Sequence, residues 1–179
     1  HTSTLISKKS SQSKMTLVIA GGYVSTDDTS LAYANSLHLL DLHTMTWSSI
    51  FSSSTIFESA LRYSHTASCF DGNKILLLGG IRREANCRNM LIFDADQCSF
   101  SAIESDTVDL TLVRHTMSTL VIEDNGKKDV QKSIFVKIGG GSQVSSFGQA
   151  WNDPPISWFD VQSLEQVSLG EIETASDGN

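Results

Sequence analysis

The chain predicts an all-β fold made of about three repeats of one four-stranded antiparallel sheet. Three recurring observations carry this. Diglycines follow β-rich runs at Leu17-Val18-Ile19-Ala20-Gly21-Gly22, Ile75-Leu76-Leu77-Leu78-Gly79-Gly80 and Ile134-Phe135-Val136-Lys137-Ile138-Gly139-Gly140. A His-Thr pair precedes each of them, as His1-Thr2, His65-Thr66 and His115-Thr116, with Arg62 and Arg114 ahead of the second and third pairs. After each diglycine an apolar run ends in aspartate, at Leu39-Leu40-Asp41, Ile92-Phe93-Asp94 and Trp158-Phe159-Asp160.

Each unit therefore reads as four short strands in a fixed order. The first follows the His-Thr pair. The second ends at the diglycine, where positive φ and the lack of a Cβ let the chain turn and neighbouring backbone come close. The third ends in Asp41, Asp94 or Asp160, whose carboxylate can accept backbone N–H bonds in a tight turn. The fourth carries an aromatic, Trp47 or Phe100, in the matching strings Trp47-Ser48-Ser49-Ile50 and Phe100-Ser101-Ala102-Ile103, and is expected to bury it between adjacent sheets. In the third copy this strand has degraded to Gln166-Val167-Ser168-Leu169.

Taken together, these signatures resemble the kelch repeat, the blade of a β-propeller, across residues 1–179. The blades are expected at about 1–57, 58–108 and 109–179. The diglycine period, near 60 residues, exceeds the roughly 50 usual for kelch. Inserted loops at residues 23–35 and 123–132 account for the excess. Propellers close with about four to eight blades, and three leave strand edges unpaired. The chain also opens on His1, inside the repeat signature, so it is expected to be a fragment holding about half of a larger propeller.

Composition narrows the function. Of 179 residues, 40% are hydrophobic and 18% charged, a globular balance, and the apolar runs have strand length, so no membrane segment is expected. Thirteen Lys and Arg against 20 Asp and Glu give a net charge of −7, which disfavours strong nucleic-acid binding by this chain alone. Cys69, Cys87 and Cys98 are odd in number and never spaced C-x-x-C, which reads as reduced thiols and a cytoplasmic setting.

Catalytic constellations are scarce. The histidines of the His-Thr pairs, His65 and His115 among them, occupy one position per unit and read as structural hydrogen-bonding residues, with no metal site expected. His38 and His43 flank the first Asp turn and read as surface residues. No nucleophile elbow or phosphate-binding glycine loop is present, so no catalytic residue is assigned. The loop Arg82-Arg83-Glu84-Ala85-Asn86-Cys87-Arg88 concentrates three arginines able to clamp a phosphate or carboxylate.

The string that follows the third strand run, Gly139-Gly140-Gly141-Ser142-Gln143-Val144-Ser145-Ser146-Phe147-Gly148, is richer in glycine than a kelch blade requires. It resembles the C-terminal kelch domain of the tRNA wybutosine-synthesising protein 4 family, the leucine carboxyl methyltransferase 2-like tRNA methyltransferases. That family carries Gly-Gly-Gly-Gly-x-Cys-Phe-Ser-Phe-Gly with an Asn shortly after. Gly139, Gly140, Gly141, Ser146, Phe147 and Gly148 match, and Asn152 falls in place; Ser142, Val144 and Ser145 depart from the pattern.

The resemblance implies an S-adenosylmethionine-dependent methyltransferase domain upstream in the same parent chain, which completes wybutosine at the guanosine next to the anticodon of phenylalanine tRNA. It would place Gly139–Gly141 and Ser146–Gly148 on the propeller surface facing that active site, with Arg82, Arg83 and Arg88 as a positive patch for tRNA. The cofactor would sit in the methyltransferase domain, and this chain would hold none. The competing reading is a kelch interaction module, a ubiquitin-ligase substrate receptor or scaffold, whose loop face binds a protein.

Overall fold

A computed structural model describes residues 1–7, 14–25, 31–33, 36–51, 55–82, 85–103, 113–123, 131–141, 156–160 and 166–167. Within them the chain is all-β and antiparallel, apart from one six-residue helix. In the first unit β1 (Thr2–Ser7) pairs with β2 (Met15–Ala20). The insertion after the first diglycine, expected as a loop, contains a small hairpin of β3 (Tyr23–Ser25) and β4 (Leu31–Tyr33). Then β5 (Leu37–Asp41) returns against β2, and β6 (Thr46–Ile50) forms the edge, giving sheet one the order β1-β2-β5-β6.

Helix α1 (Thr55–Ala60) links this sheet to the next, and the unit boundary expected at 57/58 falls inside it. Sheet two contains β7 (Thr66–Phe70) and β8 (Lys74–Leu78). After the second diglycine come the two-residue strands β9 (Ile81–Arg82) and β10 (Ala85–Asn86), and then β11 (Met90–Asp94) and β12 (Ser99–Ile103). The order is β12-β11-β8-β7, the same topology as in sheet one. Sheet three repeats it with β13 (Val113–Glu123), β14 (Gln131–Gly141), β15 (Ile156–Asp160) and β16 (Gln166–Val167). The boundary expected at 108/109 lies outside the described residues.

Two differences set sheet three apart. Its second strand runs through Gly139–Gly141 instead of stopping at the diglycine, because β13 stays paired with it as far as Val113 opposite Gly141. The expected insertion at 123–132 is partly strand as well, since Glu123 pairs with Gln131.

The sheets stack face to face through two cores. In the first, Ile6, Val18, Leu37 and Leu39 of sheet one meet Ile75, Leu77, Leu91 and Phe93 of sheet two, with Phe57 and Ala60 of α1 sealing one end. In the second, Leu76, Leu78 and Met90 meet Met117 and Phe135 of sheet three, and the rings of Phe70 and Phe135 lie edge to face at 5.5 Å. Sheet two is thus buried on both faces, which is why Ile75-Leu76-Leu77-Leu78 is apolar without alternation. The first strands adjoin one another, with β7 lying beside both β1 and β13. No helix among the described residues is long and apolar enough to cross a membrane.

Candidate functional site

The described residues are most alike from unit to unit at the joint between one sheet and the next. Alternation along β1 points Thr2, Thr4 and Ile6 toward sheet two, and along β7 it points Thr66 and Ser68 toward sheet three. Each threonine meets the histidine of the following unit. Thr2 Oγ1 and His65 Nε2 share a hydrogen bond of 2.9 Å, and Thr66 Oγ1 and His115 Nε2 one of 2.8 Å. Ser68 and Thr119 hydroxyls add a 2.6 Å bond at the second joint. In the middle pair, His65-Thr66, both halves are therefore used, the histidine backward and the threonine forward.

The diglycines make room for these rings. A Cβ at Gly21 would sit 2.1 Å from the Arg62 carbonyl oxygen and 2.7 Å from His65 Cε1, so the first sheet could not approach the second with any other residue there. Within its own sheet Gly80, at φ +92°, would place a Cβ 2.8 Å from His65 Cβ. The imidazole is held between two glycine backbones. Burial, reinforced by the Arg62 charge, lowers His65 to about 3, and burial together with the Lys137 charge lowers His115 to about 4. Both rings are neutral at physiological pH and act as hydrogen-bonding spacers.

Arg62, marked in the sequence only as a repeated residue ahead of His-Thr, turns out to be fully buried. Its Nε donates to the Ser59 carbonyl at 2.7 Å, and Nη1 to the carbonyls of Gly79 and Asn89, both at 3.0 Å. Nη2 donates to Asn89 Oδ1 at 2.9 Å, while the Arg62 carbonyl accepts the Gly22 N–H at 2.8 Å. One side chain thus ties together α1, the second diglycine and the loop before β11, and its backbone reaches sheet one. Burial lowers its pKa from the ordinary guanidinium value. Sequence reasoning missed this role because three of the four acceptors, on Gly79 and Asn89, are distant in sequence, which no motif displays.

The aspartate turns behave as their position predicts. Asp41 Oδ1 accepts the N–H groups of His43 and Thr44 at 2.8 and 3.0 Å, and Asp94 Oδ1 those of Asp96 and Gln97 at 2.9 and 3.1 Å. These bonds hold the Asp41 carboxyl below its ordinary pKa. The turns then place Met45 and Cys98, four residues on, at φ 56° and 50°. Asp160, at the third position, is buried at the end of β15. His38 and His43 are exposed, as expected, and His38 bridges Ser36 and Ser49.

The two fourth-strand aromatics part company. Phe100 packs as expected, against Phe93 and Phe57 with ring centroids at 5.0 and 5.7 Å. Trp47 does not: it is 58% exposed, because no sheet among the described residues packs against its face of sheet one.

The arginine loop is only partly a cationic patch. Arg82 Nη2 donates to Glu58 Oε2 of α1 at 2.7 Å, so its charge is already paired, whereas Arg88 is exposed. Arg83 lies outside the described residues, as do Ser146, Phe147 and Gly148. Of the glycine string, Gly139–Gly141 are placed at the end of β14, where Gly139 pairs with His115 and a Cβ on Gly140 would lie 2.7 Å from His115 Cβ. The three cysteines are free thiols, and burial pushes those of Cys69 and Cys87 up. Among the described residues no group of three His, Cys, Asp or Glu side chains could hold a metal ion.

No protein-family model matches this chain, and no curated protein matches its sequence.

Proposed function

We propose that this chain is the kelch-propeller portion of an S-adenosylmethionine-dependent tRNA methyltransferase, which completes wybutosine next to the anticodon of phenylalanine tRNA in the cytoplasm. The observation that carries the proposal is the glycine string opening at Gly139, with Ser146, Phe147 and Gly148 in the family's positions. The propeller half of the reading draws support from three sheets of one topology, joined by one repeated His–Thr bond, with their first strands side by side. Such a stack is what blades set around an axis require.

On this reading the chain supplies no catalytic group. S-adenosylmethionine is held by the methyltransferase domain of the parent chain, and the propeller forms a wall of the substrate cavity with the glycine-rich end of sheet three. Glycine suits that place because bare backbone N–H groups can approach a nucleoside closely. With Arg82 engaged by Glu58, the positive contribution to tRNA falls to Arg83 and Arg88.

The test is chemical. Cells carrying Gly141→Val with Phe147→Ala in the parent gene should accumulate the unmethylated wybutosine precursor in phenylalanine tRNA, read by mass spectrometry of its nucleosides. An unchanged wybutosine content on deleting residues 1–179 altogether would overturn the proposal.

A further inference from the structure

The diglycine end of sheet two gathers positive charge around a single bonded carboxylate. Arg62 lies fully buried behind this end, and every oxygen its guanidinium meets belongs to a neutral group, on Ser59, Gly79 or Asn89. In front stands the hairpin of β9 and β10, which carries Arg82. The Cys87 N–H donates to the Gly80 carbonyl at 2.9 Å and fixes the base of that hairpin, from which the exposed Arg88 departs. Arg62 and Arg82 lie near enough for their charges to repel. Among the described residues, the carboxylate bonded to either of them is that of Glu58 on α1.

This ion pair is built to be exchanged. Arg82 gives Glu58 one N–H, from Nη2 to Oε2 at 2.7 Å, and not the two-pronged contact that a guanidinium can make with a carboxylate or a phosphate. The Glu58 side chain is 41% exposed and that of Arg82 23%, and a pair so open to water is weakly held. The helix beneath is fixed, since Phe57 and Ala60 anchor it in the core. Glu58 therefore waits at one place and offers Arg82 what a phosphate diester would offer, one negative charge and two acceptor oxygens.

We propose that Glu58 is a resident competitor for RNA phosphate: it holds Arg82 in the free protein and yields it to a backbone phosphate of the tRNA as the anticodon arm docks. Arg88 meets the RNA first, and Arg82 joins once Glu58 is displaced. Arg82 can then use both prongs, and the charge of Arg62 behind it favours the incoming anion. Weaker anions are kept off Arg82, because a ligand must displace a carboxylate already in place. The proposal rests on the tRNA methyltransferase reading and adds to it a residue that regulates the RNA-facing surface.

Binding of phenylalanine tRNA to the parent protein, titrated across salt concentration, tests it. Glu58→Gln keeps an acceptor for Arg82 but removes the charge, and should tighten binding about threefold. Arg82→Gln should weaken binding about tenfold and lower the salt slope by about 1. In the Arg82→Gln background, Glu58→Gln should bring no gain, because there is no longer a competition to relieve. A gain that survives there would overturn the proposal, since Glu58 would then simply repel the RNA. An affinity indifferent to Arg82→Gln, or to Glu58→Gln alone, would overturn it too. Each of these results leaves the methyltransferase reading intact, whereas a parent protein that binds no phenylalanine tRNA would overturn the proposal and that reading together.

Discussion

Sheets one and two are built from the same sequence signature and differ in how much of it is buried. Both have a His-Thr entry, a diglycine after the second strand, an aspartate turn with a left-handed fourth residue, and an aromatic on the fourth strand. Sheet two is covered on both faces, and its row Ile75, Phe93 and Phe100 is packed, whereas the equivalent Leu17, Leu40 and Trp47 face outward. The repeat thus specifies the sheet and its joints locally, and the neighbour decides whether an apolar side chain becomes core.

The largest expected effect falls at the residue that locks sheet two to its surroundings. Arg62→Met should cost about 4 kcal/mol in urea unfolding, because it strands four oxygens that the guanidinium now satisfies. Next, Phe93→Ala should cost about 3–4 kcal/mol and its counterpart Leu40→Ala only about 1 kcal/mol, both read by urea unfolding. Equal costs would erase the distinction between covered and open faces.

Acid should act on the joints. The folded-state pKa values of His65 and His115 lie at about 3 and 4, below the ordinary 6.5. Between these limits the unfolded chain binds more protons, so stability is full above about pH 6.5 and falls as the pH drops toward 4. Urea midpoints at pH 7 and pH 4.5 should therefore differ less in His115→Gln than in the unaltered chain. Smaller still is the relief of backbone strain: Met45→Gly and Cys98→Gly should each add about 0.5 kcal/mol, equally in the two sheets.

What the sequence revealed of this fold was whatever is written locally. Strand ends at Gly21, Gly79, Asp41 and Asp94 follow from turn chemistry, and the strand order from its recurrence. Helix α1 was not legible: six residues are too few to form a helix alone, and this one is held by Phe57 in the core and by Glu58 on Arg82. Nor was the exposure of Trp47, since its alignment with Phe100 says nothing about what lies across the face. Of the candidate site, the histidines were recognised as structural, but their threonine partners in the preceding sheet became visible only once the sheets were stacked. The pairing of Arg82 with Glu58 escaped for the same reason, because their separation in sequence hides a 2.7 Å contact.

The account stands on the histidine of one sheet being bonded to the threonine of the sheet before it. The most direct measurement is a double-mutant cycle on Thr66→Val and His115→Gln, read by urea unfolding at pH 7. The account predicts a coupling of about 1 kcal/mol, in the direction that makes the second loss smaller once the first has occurred. Strictly additive losses would contradict it, and would leave the second joint to the Ser68–Thr119 bond and the apolar core.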